Sequence, residues 1–516
     1  MIASNSEFIK QDYGYVMNNA KEGRRQHDSY SLRRFFRPNS ADSALELANN
    51  MGEVYLQDLS DFISAKMFPC SGDWINFAES PANDQGQQQI MKEVKEGLNR
   101  HLLDSNFYES VNKLVTQGLI YNEGIISAEY SQGLSFVVYD VEKVHMSMEN
   151  DVYLRRAYIE EDMTLLALSN KYEVDAEALV NLKGEATHLY KDYKVVHAIL
   201  PVIKEFVKTD MVDKRYKFIK VPFLVISGDF TELKAKKSDS LAGFSSFPVM
   251  QYRCSGEISL ARKAVSSANM ANLYEQVYYD RAKQVLYPPI AIGVDTIMRG
   301  DYDLRSGGVV PLENNEREPG PIQTTLNMDV SEKTIVMKER KLREIFKVDL
   351  IERANITNIS QFEYNQNQYN MLSSVQPLVA DLTSRVVVAL LERTHKLLLQ
   401  NDPLYKRVAK GLEKEFHFDH LAKQMERARK LASVGRVLQA ISPVANFDPQ
   451  SFTNVNTDKL LREAFAAAGL SQVMRSEAEV RQMKAQMMEQ QQQQQQAEQE
   501  AEQQPEAPPG PQQGQV

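Results

Sequence analysis

Cysteine and tryptophan are nearly missing from this chain. Its 516 residues hold only Cys70, Cys254 and Trp74. Two cysteines so far apart exclude a disulfide framework and fit synthesis in a reducing cytoplasm. No apolar run is long enough to cross a bilayer, so no membrane partner is expected. The first residues, MIASNSEFIKQDYGY, lack the basic start, apolar core and small-residue cleavage site of a secretory signal. No GxxxxGK[ST] loop occurs, because Ser306-Gly307-Gly308 is not followed by Lys-Ser or Lys-Thr; an ATP-driven motor is excluded. There is no GxSxG elbow and no Cys/His constellation. His417-Phe418-Asp419-His420 is the best metal-like cluster, but no distant Cys/His set completes it, and it reads as structural or surface. Glu160-Glu161 reads as an acid pair on a polar turn without a positioned partner, which leaves an acid/base role unsupported. The expectation is a non-catalytic protein with no cofactor and no metal.

A basic surplus is also lacking. The formal net charge is −9, whereas a protein that grips duplex DNA by its phosphates is usually basic. The charge is uneven, however. Residues 330–348 carry six Lys or Arg against three Glu, while 288–329 carry three Arg against seven acids. A basic helix beside an acidic insert suits a surface that lines a DNA path without holding it, next to a protein-docking segment; a solvated helix with ordinary charges is the plainer reading. Arg24, Arg25, Arg33, Arg34 and Arg37 form a second cluster in a polar N-terminal stretch, read as an arm or early helix.

The chain is too long for one simple core, and its composition is that of a folded protein. The pattern is α+β, mainly helical. Helices are expected over 45–67, 89–104 and 107–121, with Trp74 anchoring a core just after Phe68-Pro69. Strands are expected over 124–130, 134–139, 144–148, 152–158, 193–201, 206–212, 216–219, 223–227 and 247–253, with short helices at 163–171 and 175–182.

The stretch from 256 to 360 organises the rest. Residues 257–286 have no internal Gly or Pro, and Ala261, Ala264, Ser267, Ala268 and Ala271 share one helical face, which lets another helix approach closely. Met270, Leu273, Val277 and Tyr278 give a bulkier face beside it. Pro288-Pro289 stops the helix. Ile290 to Val294 and Gly308 to Val310 look like short strands, and Pro319-Gly320-Pro321 marks a turn. Residues 330–349 are helical again, with Ile335, Leu342, Ile345 and Phe346 on one face and Lys333, Arg340, Glu344 and Lys347 opposite. A loop at 350–360 follows, then a long helix or kinked pair over 361–400 bent by Pro377, broken at Asp402-Pro403. More helices are read at 421–442 and 457–468. Gln490 to Gln496 is an unbroken Gln run, an amphipathic helix is possible before it, and disorder is expected from about Pro505.

This order of parts, with Ser255-Gly256-Glu257-Ile258-Ser259-Leu260-Ala261-Arg262 at the start of the first long helix, resembles the portal, or head–tail connector, proteins of short-tailed, podovirus-type double-stranded DNA phages. The resemblance covers nearly the whole chain to about Gly469. It implies an α/β wing over 1–256, a first stem helix over 257–286, a clip insert with strands over 287–329 and a second stem helix over 330–349. It further implies a tunnel loop over 350–360, a long wing helix over 361–402, a helical crown over 403–470 and a C-terminal barrel helix with a disordered tail over 471–516. It also implies a homo-oligomeric ring, a 12-mer, at one capsid vertex of the virion, assembled in the host cytoplasm. Double-stranded DNA would pass through its channel. Its partners would be a packaging terminase ATPase, a tail adaptor, and the major capsid and scaffolding proteins. On this reading Lys333, Arg340, Arg343 and Lys347 line or flank the channel, Asn355 and Asn358 narrow it, and Asp301, Asp303, Glu313, Glu316 and Glu318 form the clip docking surface. Salt bridges between subunits are the plainer role for the four cations. The rival reading is a cytoplasmic scaffold or adaptor that oligomerises through its Gln-rich tail.

Overall fold

The computed structural model describes residues 6–25, 32, 36, 49–70, 74–75, 85–130, 133–147, 155–172, 190–203, 205–206, 216–226, 228–233, 243–254, 258–293, 305–312, 320–321, 328–356 and 358–409. The chain divides into two compact units, Met1–Lys423 and Gln424–Val516, and every described residue lies in the first. The sequence-read helices at 175–182, 421–442 and 457–468, the His417 cluster and the Gln-rich tail lie outside the described residues.

Helices α1 (Ser6–Arg25), α2 (Met51–Met67), α3 (Gln85–Leu103) and α4 (Phe107–Tyr121) come first. Strands β1 (Glu123–Tyr130), β2 (Leu134–Tyr139), β3 (Val144–Ser147) and β4 (Arg156–Thr164) follow. A short helix α5 (Leu165–Lys171) leads to β5 (Asp192–Pro201), β6 (Phe218–Ile226), β7 (Asp229–Glu232), β8 (Gly243–Phe244) and β9 (Val249–Arg253). Then come α6 (Leu260–Leu286), β10 (Ile290–Gly293), β11 (Val309–Leu312), β12 (Gly320–Pro321) and α7 (Met328–Ile345). The described chain closes with α8 (Val348–Asn355), α9 (Gln361–Asp381), a π-turn (Leu382–Val386), α10 (Val387–Asn401) and α11 (Pro403–Val408). The α+β, mainly helical class read from the sequence is what forms.

Two sheets make the first half. One has strand order β2-β1-β9, the other β3-β4-β5-β6-β7 with β8 on β6. Side-chain alternation builds the second sheet's two faces. Tyr158, Val196, Ala198, Leu200, Val221 and Phe223 meet Ile9, Tyr13 and Val16 of α1. Ala157, Ile159, Ile199 and Phe218 meet Ile125 and Val249 of the other sheet. The polar N-terminal stretch is therefore helical through Arg25 and packed at Ile9, Tyr13 and Val16; Arg33, Arg34 and Arg37 lie outside the described residues. Trp74 is buried, stacked on Phe107 at 5.6 Å with Phe68 edge-on at 5.1 Å, as expected of a core anchor.

Several sequence readings are corrected. Residues 216–219 and 223–227 are not two strands but one, β6, running through Pro222. Proline is tolerated there because its missing donor faces the side where the four-residue β7 ends, and only its carbonyl is used, by the Leu233 amide at 2.9 Å. Residues 350–355 are helical, so the loop shortens to Ile356–Ser360 and Asn355 closes α8. The first long helix starts at Leu260, capped by the Ser259 hydroxyl, which accepts from the Arg262 amide at 3.1 Å. Glu160 and Glu161 lie on strand β4, not on a turn, and both have positioned partners. Glu160 meets His145 at 2.8 Å and Lys194 at 2.6 Å; Glu161 meets His197 at 2.9 Å. Finally, helix 366–401 is long and apolar enough to cross a membrane by length and composition, contrary to the expectation of no such run. Here Leu382, Val387, Leu390 and Leu391 are buried in the protein, and Arg393 donates to the Ala128 carbonyl of β1 at 2.8 Å.

Candidate functional site

The two long helices α6 and α7 pack against each other as a hairpin, with the β10–β12 sheet between them in sequence. Strand β10 pairs parallel with β11 and antiparallel with β12. This insert is stapled to the end of α6. The Gly307 amide donates to the Tyr287 carbonyl at 2.9 Å, and the Ser306 hydroxyl lies within 3.0 Å of the carbonyls of Lys283 and Tyr287. Gly307 adopts φ +72, which its lack of a Cβ allows.

The root of the hairpin is socketed. Ala261, Ala264, Ser267, Ala268 and Ala271 are all buried, and Gly52 of α2 leaves room for close approach to Ala268. The close approach that this small-residue face allows is made within the chain, by α2. Polar ties reinforce the socket. The Asn49 amide nitrogen donates to Asn272 Oδ1 at 3.2 Å, and its side chain donates to Glu339 at 3.4 Å. The outer part differs. Leu273, Val277, Tyr279, Val285 and Leu286 of α6, Tyr287 just past its end, and Val336 and Met337 of α7 are exposed, Leu286 at 73% and Met337 at 70%. A run of large apolar side chains in water marks an interaction surface.

The sequence-predicted cations divide into two kinds. Lys333 is exposed on α7, one turn from Val336 and Met337. Arg340 is 81% exposed at the side chain, with Glu344 at 3.8 Å. Lys333 and Arg340, seven residues apart, share a face. Arg343 is engaged within the chain, donating to Asp349 at 2.8 Å and Glu352 at 2.7 Å, with its guanidinium over the Tyr55 ring at 5.8 Å. Its hydrogen bonds to Glu352, Asp349 and Tyr55 push its pKa further up. Lys347 is half-buried at the turn between α7 and α8, in the left-handed region at φ 58. Asn355, at the end of α8, and Asn358, within the shortened loop, are exposed. The end of α8 is held by α9: the side-chain amides of Asn367 and Gln368 donate to the carbonyls of Arg353 and Ala354, at 3.2 and 2.6 Å, and at the far end of the loop Ser360 with Glu363 forms a capping box. Asp301, Asp303, Glu313, Glu316 and Glu318 lie outside the described residues. Among the described residues no group of three or more His, Cys, Asp or Glu could hold a metal ion.

The hairpin thus presents exposed apolar side chains beside exposed cations, the marks of an interaction surface. The sequence matches the family described as bacteriophage head to tail connecting protein over residues 10–475. The chain belongs to that family. No curated protein matches it. Membership makes this connector a structural component of a phage virion, with head and tail proteins as its partners.

What sequence reading missed is the set of inward contacts. The Asn49–Asn272 tie and the partnership of Arg343 join residues distant in sequence or across a turn, and neither has a periodic signature. The exposed Val285, Leu286 and Met337 do lie in plain sight on helices otherwise rich in charge, and a scan for apolar residues off the buried face finds them.

Proposed function

We propose that this connector is a portal protein of the podovirus type. Copies close into a ring of twelve whose central hole carries double-stranded DNA into the head during packaging and out during ejection. The observation that supports this most is the outer half of the α6–α7 hairpin, where large apolar side chains stand in water on a single chain beside the exposed Lys333 and Arg340. A closed ring buries those sides against neighbours and leaves a cationic face for the lumen. A few exposed cations on a chain of net charge −9 attract phosphates without trapping them. Lys347, Asn355 and Asn358 would stand near the narrowest part, while Arg343 serves its own chain. The acids Asp301, Asp303, Glu313, Glu316 and Glu318 would dock the packaging terminase ATPase and later the tail adaptor. The major capsid and scaffolding proteins would meet the base.

Class averages from negative-stain electron microscopy test the ring directly: annular particles are expected. Removing residues 471–516 should leave the rings intact; loss of assembly on that truncation would favour a scaffold that oligomerises through its tail. Arg340→Ala with Lys347→Ala should leave rings but impair DNA packaging or retention. Normal packaging in that double variant would refute the lumen assignment.

A further inference from the structure

The long helix over 361–401 changes register in its middle, and the change meets strand β9. Pro377 supplies no amide to the ladder. Five residues on, the ladder tightens and then loosens: the Leu382 amide donates to the Val379 carbonyl, and the Val387 amide reaches back five residues to the Leu382 carbonyl. The Thr383 hydroxyl donates to the carbonyls of Val379 and Ala380, at 3.1 and 3.2 Å, a pattern that bends helices. The Leu378 carbonyl, which the Leu382 amide would take in a regular helix, instead accepts from the hydroxyl of Tyr252 on β9.

Tyr252 is fully buried, and its place is prepared. A Cβ on Gly118 of α4 would overlap its ring. Its hydroxyl lies 3.0 Å from Cys254 Sγ, whose thiol donates to the Gly118 carbonyl at 3.2 Å. Beside it, the Arg253 amide donates to Asp381 at 2.9 Å, and Asp381 also pairs with Arg385 inside the π-turn. Strand β9 ends at Arg253, and seven residues later α6 begins. Two consecutive residues thus tie the π-turn to the chain that enters the hairpin.

We propose that residues 378–387 are a two-register joint, held in the π register by Tyr252 and coupled through β9 to the root of α6. The Leu378 carbonyl is the shared group: it accepts the Tyr252 hydroxyl in one register and the Leu382 amide in the other. Passing to the α register turns everything beyond Val386 by about 100° about the helix axis. That turn carries Arg393 away from Ala128 and from the Phe244 ring, 4.9 Å from its guanidinium. Rotation of α10 and release of β9 are then one event, and the hairpin root feels it. This inference does not depend on the ring.

Hydrogen exchange on the full-length chain tests it. Tyr252→Phe keeps the ring and removes the hydroxyl. Exchange about tenfold faster is expected at the amides of 382–387 and also at Ala264–Ala268, with β5 and β6 unchanged. Coupling is reciprocal, so Thr383→Val, altered only at the π-turn, must also speed exchange at Ala264–Ala268. Acceleration confined to 382–387, acceleration spread equally over β5 and β6, or no change at either place would each overturn the joint.

Discussion

Nε2 of His145 lies 2.8 Å from Oε1 of Glu160, with the imidazole buried and the carboxylate nearly so. The same carboxylate accepts from the Tyr13 hydroxyl at 2.5 Å and from Lys194 at 2.6 Å. Next to it, Asp12 of α1 accepts from Arg156 at 2.8 Å and from the Tyr158 hydroxyl at 2.6 Å. These two carboxylates fasten the first helix to the sheet through polar contacts under an apolar rim.

Glu160→Gln tests that fastening. Burial opposes ionisation of Glu160, but hydrogen bonds from His145, Lys194 and Tyr13 outweigh it and hold the carboxyl at about 2. A depressed carboxyl stabilises the fold above its unfolded pKa, near 4.5, and that contribution is lost as pH falls from there toward 2. The variant should lose about 2–3 kcal/mol at pH 7, because partners are left unsatisfied. Its stability should then vary less than the parent's between pH 4.5 and 2. Urea titrations at stepped pH measure both.

His395 gives the opposite chemistry. Burial, with a smaller contribution from Lys396, lowers its pKa to about 4, and its Nδ1 lies 2.7 Å from the Tyr405 hydroxyl. Unfolded, the ring binds its proton near 6.5. Stability is therefore full above about pH 6.5 and falls as pH drops toward 4, by about 3 kcal/mol over that window. His395→Gln should flatten this slope in thermal melts at stepped pH.

Arg343 and Arg340 separate structure from surface. Arg343→Ala should cost about 1 kcal/mol and speed amide exchange in α8, with the cost shrinking in 1 M salt. Arg340→Ala should leave the unfolding midpoint in place. Equal effects of the two would show that the clasp on Asp349 and Glu352 contributes nothing.

Lys347 sits at φ 58, where an L side chain is strained. Lys347→Gly relieves that strain and should stabilise the chain by about 0.5–1 kcal/mol; Lys347→Val should destabilise it. Denaturation midpoints of the pair decide the matter.

Leu286→Asp with Met337→Glu bears on assembly. Both side chains are exposed, so the unfolding of a single chain should not change, while sedimentation should report loss of the oligomer. Retained oligomers would move the contact surface elsewhere.

Much of the fold was legible because its signals are local. Residues 107–121 and 134–139 carry clear periodicity between polar breaks, and both elements end where read. The alanine face of α6 was visible too, but not what covers it, since Gly52 and Asn49 lie more than two hundred residues away. The strand through Pro222 was misread because proline's donor rule depends on which side of a strand has a neighbour, and sequence does not show that. The turn at Lys347 has no Gly or Asn to announce it. Residues 160 and 161 looked like a solvated pair because their partners, Tyr13, His145, Lys194 and His197, come from three other elements. Of the site, the exposure of Lys333 and Arg340 followed from the helical pattern; the engagement of Arg343 arises only once α8 folds back beside α7.

Pro222 has one more consequence. It offers no amide to the Leu233 carbonyl opposite, so the β6–β7 ladder stops there and β7 stays four residues long. So short an edge strand is a poor template for a strand from another molecule.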